Sequence, residues 1–487
     1  MSRINDKVAS LWTRVGTRFL PFADAASTEL PLPRLLRLSL FQVSVGMATV
    51  LLVGTLNRVM IVEMGMSAWL VSLMVALPLV FAPFRALLGF RSDTHRSVLG
   101  WKRVPYLWTG SLMQFGGLAI MPFSLILLAG EGRGPAWVGH AGAALAFLLV
   151  GAGLQTVQTA GLALASDLAP AHTRPRVVAL MYVMLLVGMV SCGLVFSLLL
   201  ANYSSLRLIQ VVQGAAMVTM ALNIVALWKQ EPRDRTRRPA NLPRPSFSEN
   251  WQVFARNGRS IRYLVAVGLG TAAFNMQDII LEPYGGEILG LSVGATSALT
   301  ALMALGALGA VALAARLLGN GVDPHRVSAF GALAGIVAFS AVIFAEPLSS
   351  PNLFRVGATL IGFGGGLFSV GTLTAAMSLE TTGLNGLGGL NGLALGAWGA
   401  VQASCSGLAI ALGGAIRDGV SSLATQGLLG SALAQPAIGY SFVYHIEFYM
   451  LFATLIALGP LVQLRPRAHQ LATRPSPTPF GLAEFPG

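Results

Sequence analysis

Three polar side chains lie at helical spacing inside an otherwise apolar segment. Asn275, Asp278 and Glu282 are separated by three and four residues, so on a helix they share one face. A second apolar segment ends with Asn57 and Arg58. A charge inside a membrane costs about 2.5–3.5 kcal/mol on insertion scales, so these residues need partners. We predict that the five form an intramembrane polar network, in which Arg58 pairs with Asp278 as first choice and Glu282 as second. The alternative is that Arg58 reaches a lipid phosphate.

His445 is the histidine most clearly placed inside an apolar segment. Phe442 and Phe452 lie near its face at helical spacing. A neutral imidazole can ligate a metal, including the magnesium of a chlorophyll. His445 is therefore a candidate pigment ligand, and the alternative is a place in an aromatic belt at the membrane interface.

Charged residues recur in two connections of similar sequence. Residues 89–96 and 319–326 both fit G-x-x-x-D-x-H-R, and a further Asp and Arg follow another apolar stretch. We predict that these residues form a cytoplasmic charge gate, unless they merely mark helix ends. The gate residues are Asp93, Arg96, Asp167, Arg174, Asp323 and Arg326.

Motifs of enzymes are absent or out of context. None of the three lysines, Lys7, Lys102 and Lys229, follows a glycine, which excludes a Walker A loop. Residues 290–294 match G-x-S-x-G but lie between two apolar segments, without the strand, turn and helix that a nucleophile elbow needs. We expect that the protein is not an enzyme and holds no resident metal.

The composition identifies the elements that must position these residues. Of the 487 residues, 54% are hydrophobic and only 10% are charged, against roughly 25% charged in soluble proteins. A water-soluble globule is thereby excluded. Twelve apolar stretches are long enough to span a bilayer as helices. They are 38–62, 67–88, 104–129, 136–166, 176–201, 206–228, 263–288, 293–318, 326–346, 352–378, 388–415 and 440–464.

The basic residues set the expected topology. With a cytoplasmic N-terminus, all of the 32 Lys and Arg except Arg58, Arg133, Arg207, Arg355 and Arg417 lie on the cytoplasmic side. Both termini are then cytoplasmic, and the net charge of +13 indicates contact with anionic lipids and not with nucleic acid.

The predicted organisation is an all-α membrane protein of two six-helix halves, at 38–228 and 263–464. A basic cytoplasmic loop at 229–262 joins the halves, and 465–487 form a cytoplasmic tail. Within 1–37, apolar residues share one helical face, which suits a helix lying on the membrane surface. The alternative for this first segment is a frayed tail.

Two six-helix halves around a central loop resemble the major facilitator superfamily. Longer stretches resemble one branch of it, the PucC/LhaA or bacteriochlorophyll delivery family of phototrophic bacteria. They are LPFADAAS (20–27), LRLSLFQVSVGMATVLLVGTLNRVMIVEMG (36–65), LPLVFAPFRALLGFRSDTHRSVLGWKRVPY (77–106) and FNMQDIILEPYGGEILGLSV (274–293). Residues 101–125 are more similar to the LhaA members.

The resemblance implies an assembly factor in the intracytoplasmic photosynthetic inner membrane. The expected partners are light-harvesting 1 subunits, the assembling reaction centre and pigment synthesis enzymes. Bacteriochlorophyll, and with it a carotenoid, would be transient cargo. The alternatives are service to light-harvesting 2, a proton-coupled exporter of a hydrophobic solute, and a pigment-free scaffold.

Overall fold

The computed structural model describes residues 30–80, 101, 103–129, 135–170, 173–231, 258–382 and 391–462. Asp93 and Arg96 of the predicted gate lie outside the described residues, and Arg174 is described only in its backbone. The N-terminal segment up to residue 29, most of the central loop and the C-terminal tail also lie outside them.

Twelve helices form the described part of the chain, as the apolar stretches predict. In order they are α1 (Leu32–Glu63), α2 (Ala68–Val80), α3 (Val104–Leu128), α4 (Ala136–Leu168), α5 (Arg174–Leu199), α6 (Ser205–Leu227), α7 (Gly258–Glu287), α8 (Val293–Gly319), α9 (Pro324–Ala345), α10 (Pro351–Thr382), α11 (Asn391–Thr425) and α12 (Ala437–Leu458). Eleven of them are long and apolar enough to cross a membrane, and only the described part of α2 is shorter.

Several helix ends extend past the predicted boundaries. α1 begins at Leu32 and not at 38, because Pro33 falls in its first turn, where the missing N–H of proline costs nothing. α7 begins at Gly258 and not at 263, and α11 continues to Thr425 and not to 415. Helices run past the hydrocarbon region into the polar interface, so an apolar run marks less than the whole helix.

The packing of the first six helices recurs in the last six. α1 packs against α4, α5 and α6, while α7 packs against α10, α11 and α12. In the same way, the pairs α2–α4, α3–α4 and α3–α6 correspond to α8–α10, α9–α10 and α9–α12. The halves meet along two helix pairs, α2–α11 and α5–α8. Because α2 corresponds to α8 and α5 to α11, these two contacts are equivalent. The predicted architecture of two related six-helix halves is therefore confirmed.

The two central helices are both irregular. α1 contains π-helical turns at Val50–Leu56 and Val59–Glu63, and α7 is interrupted by a 3₁₀ turn at Met276–Ile279. Such irregular turns inside long helices are frequent at functional sites and hinges. Both lie at the end of the bundle where α1 turns into α2 and α7 turns into α8, here called the α1–α2 end.

Candidate functional site

A cavity of about 270 Å³ lies between the halves. Its walls come from α1, α5, α7, α8, α10 and α11, and they are mostly apolar. The polar groups in the wall are concentrated on α7, where Asn275, Gln277, Asp278 and Glu282 face the cavity. The interruption of α7 therefore brings the predicted acids to the interface of the halves.

Glu282 is held at this cavity by α8. Its side chain is only 3% exposed, and Oε1 accepts a hydrogen bond from Thr300 Oγ1 at 2.5 Å. Gly54 of α1 lies so close that an added Cβ would be 2.5 Å from this oxygen. Within the described residues, Oε2 of Glu282 has no hydrogen-bond partner.

Arg58 does not form the predicted direct pair with Asp278. Its guanidinium donates to Glu63 Oε1 at 2.5 Å and to the carbonyl oxygen of Leu291 at 3.2 Å, and it packs on Gly286. The reason is the π-helical turn at the end of α1, which places residues five apart above one another. The lipid-phosphate alternative also fails, because Arg58 is 3% exposed.

Asn57 and Asn275 form hydrogen bonds between helices, but not with the carboxylates of α7. Asn57 Nδ2 donates to the backbone oxygen of Asp278 at 3.2 Å, which links α1 to the interruption of α7. Asn275 Oδ1 accepts from Ser406 of α11 at 3.1 Å. The Asp278 carboxylate itself accepts from its neighbour Gln277. The five predicted residues thus lie in one region, with hydrogen-bond partners other than those predicted.

Further polar contacts join the halves at the α1–α2 end. Thr55 of α1 and Ser297 of α8 are hydrogen-bonded at 3.1 Å. The backbone N–H of Trp69, at the start of α2, donates to Asp418 of α11 at 2.8 Å. Together with the contacts of Asn57 and Arg58, these bonds hold the two halves together at this end.

At the opposite end, Asp167 of the predicted gate is paired with Arg103, at 3.0 Å between Oδ2 and Nε. Glu231, just after α6, accepts from the backbone N–H groups of Arg103 and Val104 at 2.9–3.0 Å. In the second half, Asp323 caps α9 by accepting from the backbone N–H of His325 at 3.0 Å, and Arg326 lies in that first turn. The structure therefore brings Asp167 to a partner outside the predicted gate.

His445 lies half-buried on α12. Its Nδ1 is 2.7 Å from the carbonyl oxygen of Ser441, so in the neutral ring this nitrogen carries the proton. Nε2 is then the nitrogen with a free lone pair, as ligation of a metal requires. Phe442, Tyr449 and Phe452 are exposed on the same helix.

Two groups of functional interest were missed from the sequence. Glu447 of α12 is fully buried, and a charge inside an apolar helix was the same signal that identified Asp278. Arg417 of α11 binds Glu287 at 2.5 Å and lies 4.4 Å from the ring centre of Tyr440. Glu287 and Arg417 are far apart in the sequence, and no local pattern links them.

Comparison with known proteins gives a consistent family. The sequence model of the family described as "PUCC protein" matches residues 55–465. The chain is 54% identical to the "Uncharacterized protein in puhA-bchM intergenic region" of Rhodobacter capsulatus, over 96% of this chain and 97% of that protein. It is 49% identical to "Protein PucC" of Cereibacter sphaeroides, over 96% of this chain and all of that protein (100%).

Solved structures share the fold at low sequence identity. The nucleoside transporter NupG superposes with a TM-score of 0.62 at 14% identity, over 87% of this chain and 99% of that one. A peptide transporter POT gives a TM-score of 0.64 at 14% identity, over 88% and 94%. A bacterial homologue of ferroportin in an inward-facing state gives 0.62 at 13%, over 88% and 97%. These similarities establish the major facilitator fold. They do not indicate the function, which is inferred from the family.

Proposed function

The chain belongs to the PUCC protein family, and we propose that it is an assembly factor for the bacterial photosynthetic antenna. The observation that carries the proposal is the similarity to proteins named PucC in Rhodovulum sulfidophilum, Cereibacter sphaeroides and Rhodobacter capsulatus, at 49–54% identity over most of the chain. A more distant relative, 27% identical, bears the name "Bacteriochlorophyll synthase 44.5 kDa chain". The proposed location is the photosynthetic inner membrane, with both termini cytoplasmic.

The antenna served is proposed to be light-harvesting 1. The support is the similarity of residues 101–125 to LhaA members of the family. Overall identity does not decide between the antennae, since it is 54% both to the puhA–bchM relative and to the PucC of Rhodovulum sulfidophilum. Light-harvesting 2 is the alternative client. Antenna subunits, the assembling reaction centre and pigment synthesis enzymes are the proposed partners, with anionic lipids against the basic central loop.

The proposed cargo is bacteriochlorophyll, delivered or shielded while antenna subunits insert. The central cavity of about 270 Å³ is smaller than the ~300–1,000 Å³ of pockets for drug-sized ligands, and a tetrapyrrole with its tail is larger than these. The pigment is therefore proposed to stay on the lipid-facing surface. His445 offers one ligand there, and the exposed rings of Phe442 and Tyr449 lie on the same helix. A carotenoid could use the same surface.

The test is a deletion strain of a purple bacterium complemented with this chain. Light-harvesting 1 and light-harvesting 2 absorption, free pigment, and subunits and pigment that co-purify in mild detergent are measured. Restored light-harvesting 1 absorption with bound pigment supports delivery. Restoration of light-harvesting 2 absorption alone would show that light-harvesting 2 is the antenna that the protein helps to assemble. Subunits without pigment would indicate a scaffold. Unchanged antennae in the deletion strain would contradict the proposal.

A second candidate is a proton-coupled exporter of a hydrophobic solute. The observation that favours it is the pair of carboxylates, Asp278 and Glu282, in the wall of the central cavity. Buried acids between two related halves are suited to carry protons in transporters of this architecture. Loss of an export activity with normal antennae in the deletion strain would favour this candidate over assembly.

A further inference from the structure

Glu447 lies between α12 and the interruption of α7 as a fully buried carboxylate. Its exposed fraction is 0%. Within the described residues, no side-chain donor bonds either carboxylate oxygen, and the backbone N–H of Gln277 is the donor that lies beside them. A carboxylate is an acceptor at both oxygens, and burying it without a positive charge is among the most unfavourable arrangements in a membrane interior.

Gln277, in the 3₁₀ turn of α7, contributes a second unsatisfied acceptor. Its Nε2 donates to the carbonyl oxygen of Phe274 at 3.2 Å and to the carboxylate of Asp278. These two acceptors fix which end of the amide is nitrogen, so the other atom is the carbonyl oxygen. That oxygen, Oε1, is buried without a donor in the part of the chain that the structure describes.

The surroundings of Glu447 supply one backbone N–H, a tyrosine hydroxyl and a second carboxylate, but no positive charge. From α7, the backbone amide of Gln277 lies beside the carboxylate and Asp278 lies within electrostatic range. On α12 itself, Tyr444 is in range, is fully buried, and has a hydroxyl without a partner among the described residues.

The elements around Tyr444 add further aromatic groups. α9 contributes the apolar ring of Phe339 against Tyr444, and α7 adds the ring of Tyr284 at 5.4 Å. Tyr440 lies one turn away, also within range of Tyr444. The nearest basic group described on α11, Arg417, is engaged by Glu287, Asp418 and Tyr440. The described groups that act on Glu447 are thus neutral or acidic.

We propose that Glu447, Asp278 and Gln277 form a binding site for one small cation, a proton or a sodium ion, at the interruption of α7. The unsatisfied atoms are oxygens, which are the ligands of hard cations and the sites that accept a proton. An interrupted membrane helix is the setting in which membrane transporters hold such ions. The proposal stands on these contacts and does not depend on the role in antenna assembly.

The position of the site gives the cation a consequence for the whole molecule. The side chain of Asp278 is part of the site, while its backbone oxygen accepts a hydrogen bond from Asn57 of α1. Binding and release of the cation therefore act on the residue that joins α7 to the first half. Occupancy is expected to stabilise the contact between the halves.

The test uses the purified full chain in lipid nanodiscs, without pigment or antenna subunits. Infrared spectroscopy follows the carbonyl stretch of protonated carboxylic acids at neutral pH. Thermal unfolding is measured in sodium chloride and in choline chloride at equal ionic strength. A protonated-acid band in the wild type supports a proton site, and an unfolding midpoint that rises only with sodium supports a sodium site. Absence of both signals in the wild type overturns the proposal without any variant.

Variants assign the signal to the site. Glu447→Gln should reduce the band, to which the buried Glu282 can also contribute, or abolish the sodium effect, because the amide replaces the carboxyl group with one that neither protonates nor carries charge. Glu346→Gln, at the end of α9, is the matched control and should keep the signal. If Glu447→Gln folds poorly, Asp278→Asn is measured in the same way, and it should shift the band or reduce the sodium effect. A signal unchanged in both site variants would overturn the assignment.

Discussion

Arg58 is the residue whose surroundings most constrain the α1–α2 end. Its side chain is 4% exposed, while that of its partner Glu63 is 34% exposed. The cost of losing the partner is therefore different for the two residues, because water can solvate a lone Glu63 but not a lone Arg58. Loss of the acid leaves a buried positive charge, which is the more destabilising change.

The pairing of Arg58 is tested by a double-mutant cycle. Glu63→Gln is expected to destabilise the protein by about 1–2 kcal/mol, less than the ~3–5 kcal/mol for breaking a fully buried pair, because water reaches Glu63 and glutamine keeps one acceptor oxygen. Adding Arg58→Met, which keeps the volume and removes the charge, should restore most of that loss. Thermal unfolding in mild detergent measures the effects. The same cycle with Asp278→Asn in place of Glu63→Gln is the control and should be additive within about 0.5 kcal/mol.

A coupling between Arg58 and Asp278 larger than that with Glu63 would contradict the contacts seen here. The region was predicted correctly, but the ion pair of Arg58 is with Glu63 and not with Asp278. Glu282, the second predicted acid, lies within electrostatic range of Arg58. Asp278 lies on the predicted face of α7, yet the π-helical turn that brings Glu63 to Arg58 has no signature in residue spacing.

His445 provides the residue-scale test of pigment binding. His445→Leu removes the lone pair of Nε2 and keeps an apolar side chain of moderate size. We expect several-fold less bacteriochlorophyll on the protein purified from a pigment-producing host, with unchanged thermal unfolding. Ser441→Ala is the control, because it removes only the long 3.4 Å contact of the hydroxyl with Nδ1 and leaves the imidazole and its backbone acceptor in place. Equal pigment in His445→Leu and wild type would assign His445 to the aromatic belt.

At the scale of elements, the helices were predictable, whereas the π-helical turns of α1 were not. Long apolar runs identify membrane helices directly, because no water is present to satisfy a non-helical backbone. The repeated loops at 89–96 and 319–326 also predicted the two halves. The 3₁₀ turn of α7 ends four residues before Pro283, which cannot donate to the carbonyl of residue 279 and clashes with it, so a local signal for this interruption was present. The π-helical turns of α1 contain no proline and have no such signal.

Close packing of α8 on α10 depends on particular glycines. An added Cβ at Gly306 would lie 2.0 Å from the backbone oxygen of Thr359, whereas one at Gly309 would lie 3.8 Å from the ring of Phe363. Gly306→Ala must push the helices apart and should cost at least the 1–3 kcal/mol typical of overpacking. Gly309→Ala should be close to neutral. The midpoint of thermal unfolding compares the two, and equal midpoints would show that the α8–α10 contact is not limiting.

The opposite end of the first half relies on a cap from outside the helix. Glu231 accepts the backbone N–H groups of Arg103 and Val104 at the start of α3. Glu231→Ala is therefore expected to cost about 1–2 kcal/mol, from the lost cap and the lost negative charge at a helix N-terminus. Glu231→Gln keeps one acceptor oxygen and should lose less. Identical unfolding midpoints for wild type and Glu231→Ala would contradict a stabilising cap.

At the scale of the whole molecule, the question is whether the halves must separate at the α1–α2 end during function. Alternating access in this fold proceeds by rocking of one half against the other. A pigment handled on the lipid-facing surface would not require it. Thr55 and Ser297 offer a direct test, since their hydroxyl oxygens are 3.1 Å apart across the halves.

The cross-link Thr55→Cys with Ser297→Cys, in a chain with Cys192→Ser and Cys405→Ser, should lock this end under oxidation. If the protein assembles the antenna laterally, the locked form should restore light-harvesting 1 absorption in the deletion strain as well as each single-cysteine control does. An exporter would be inactive when locked and active again after reduction. Loss of antenna on oxidation, reversed by a reductant and absent from the single-cysteine controls, would therefore replace lateral delivery with a transport cycle that opens this end.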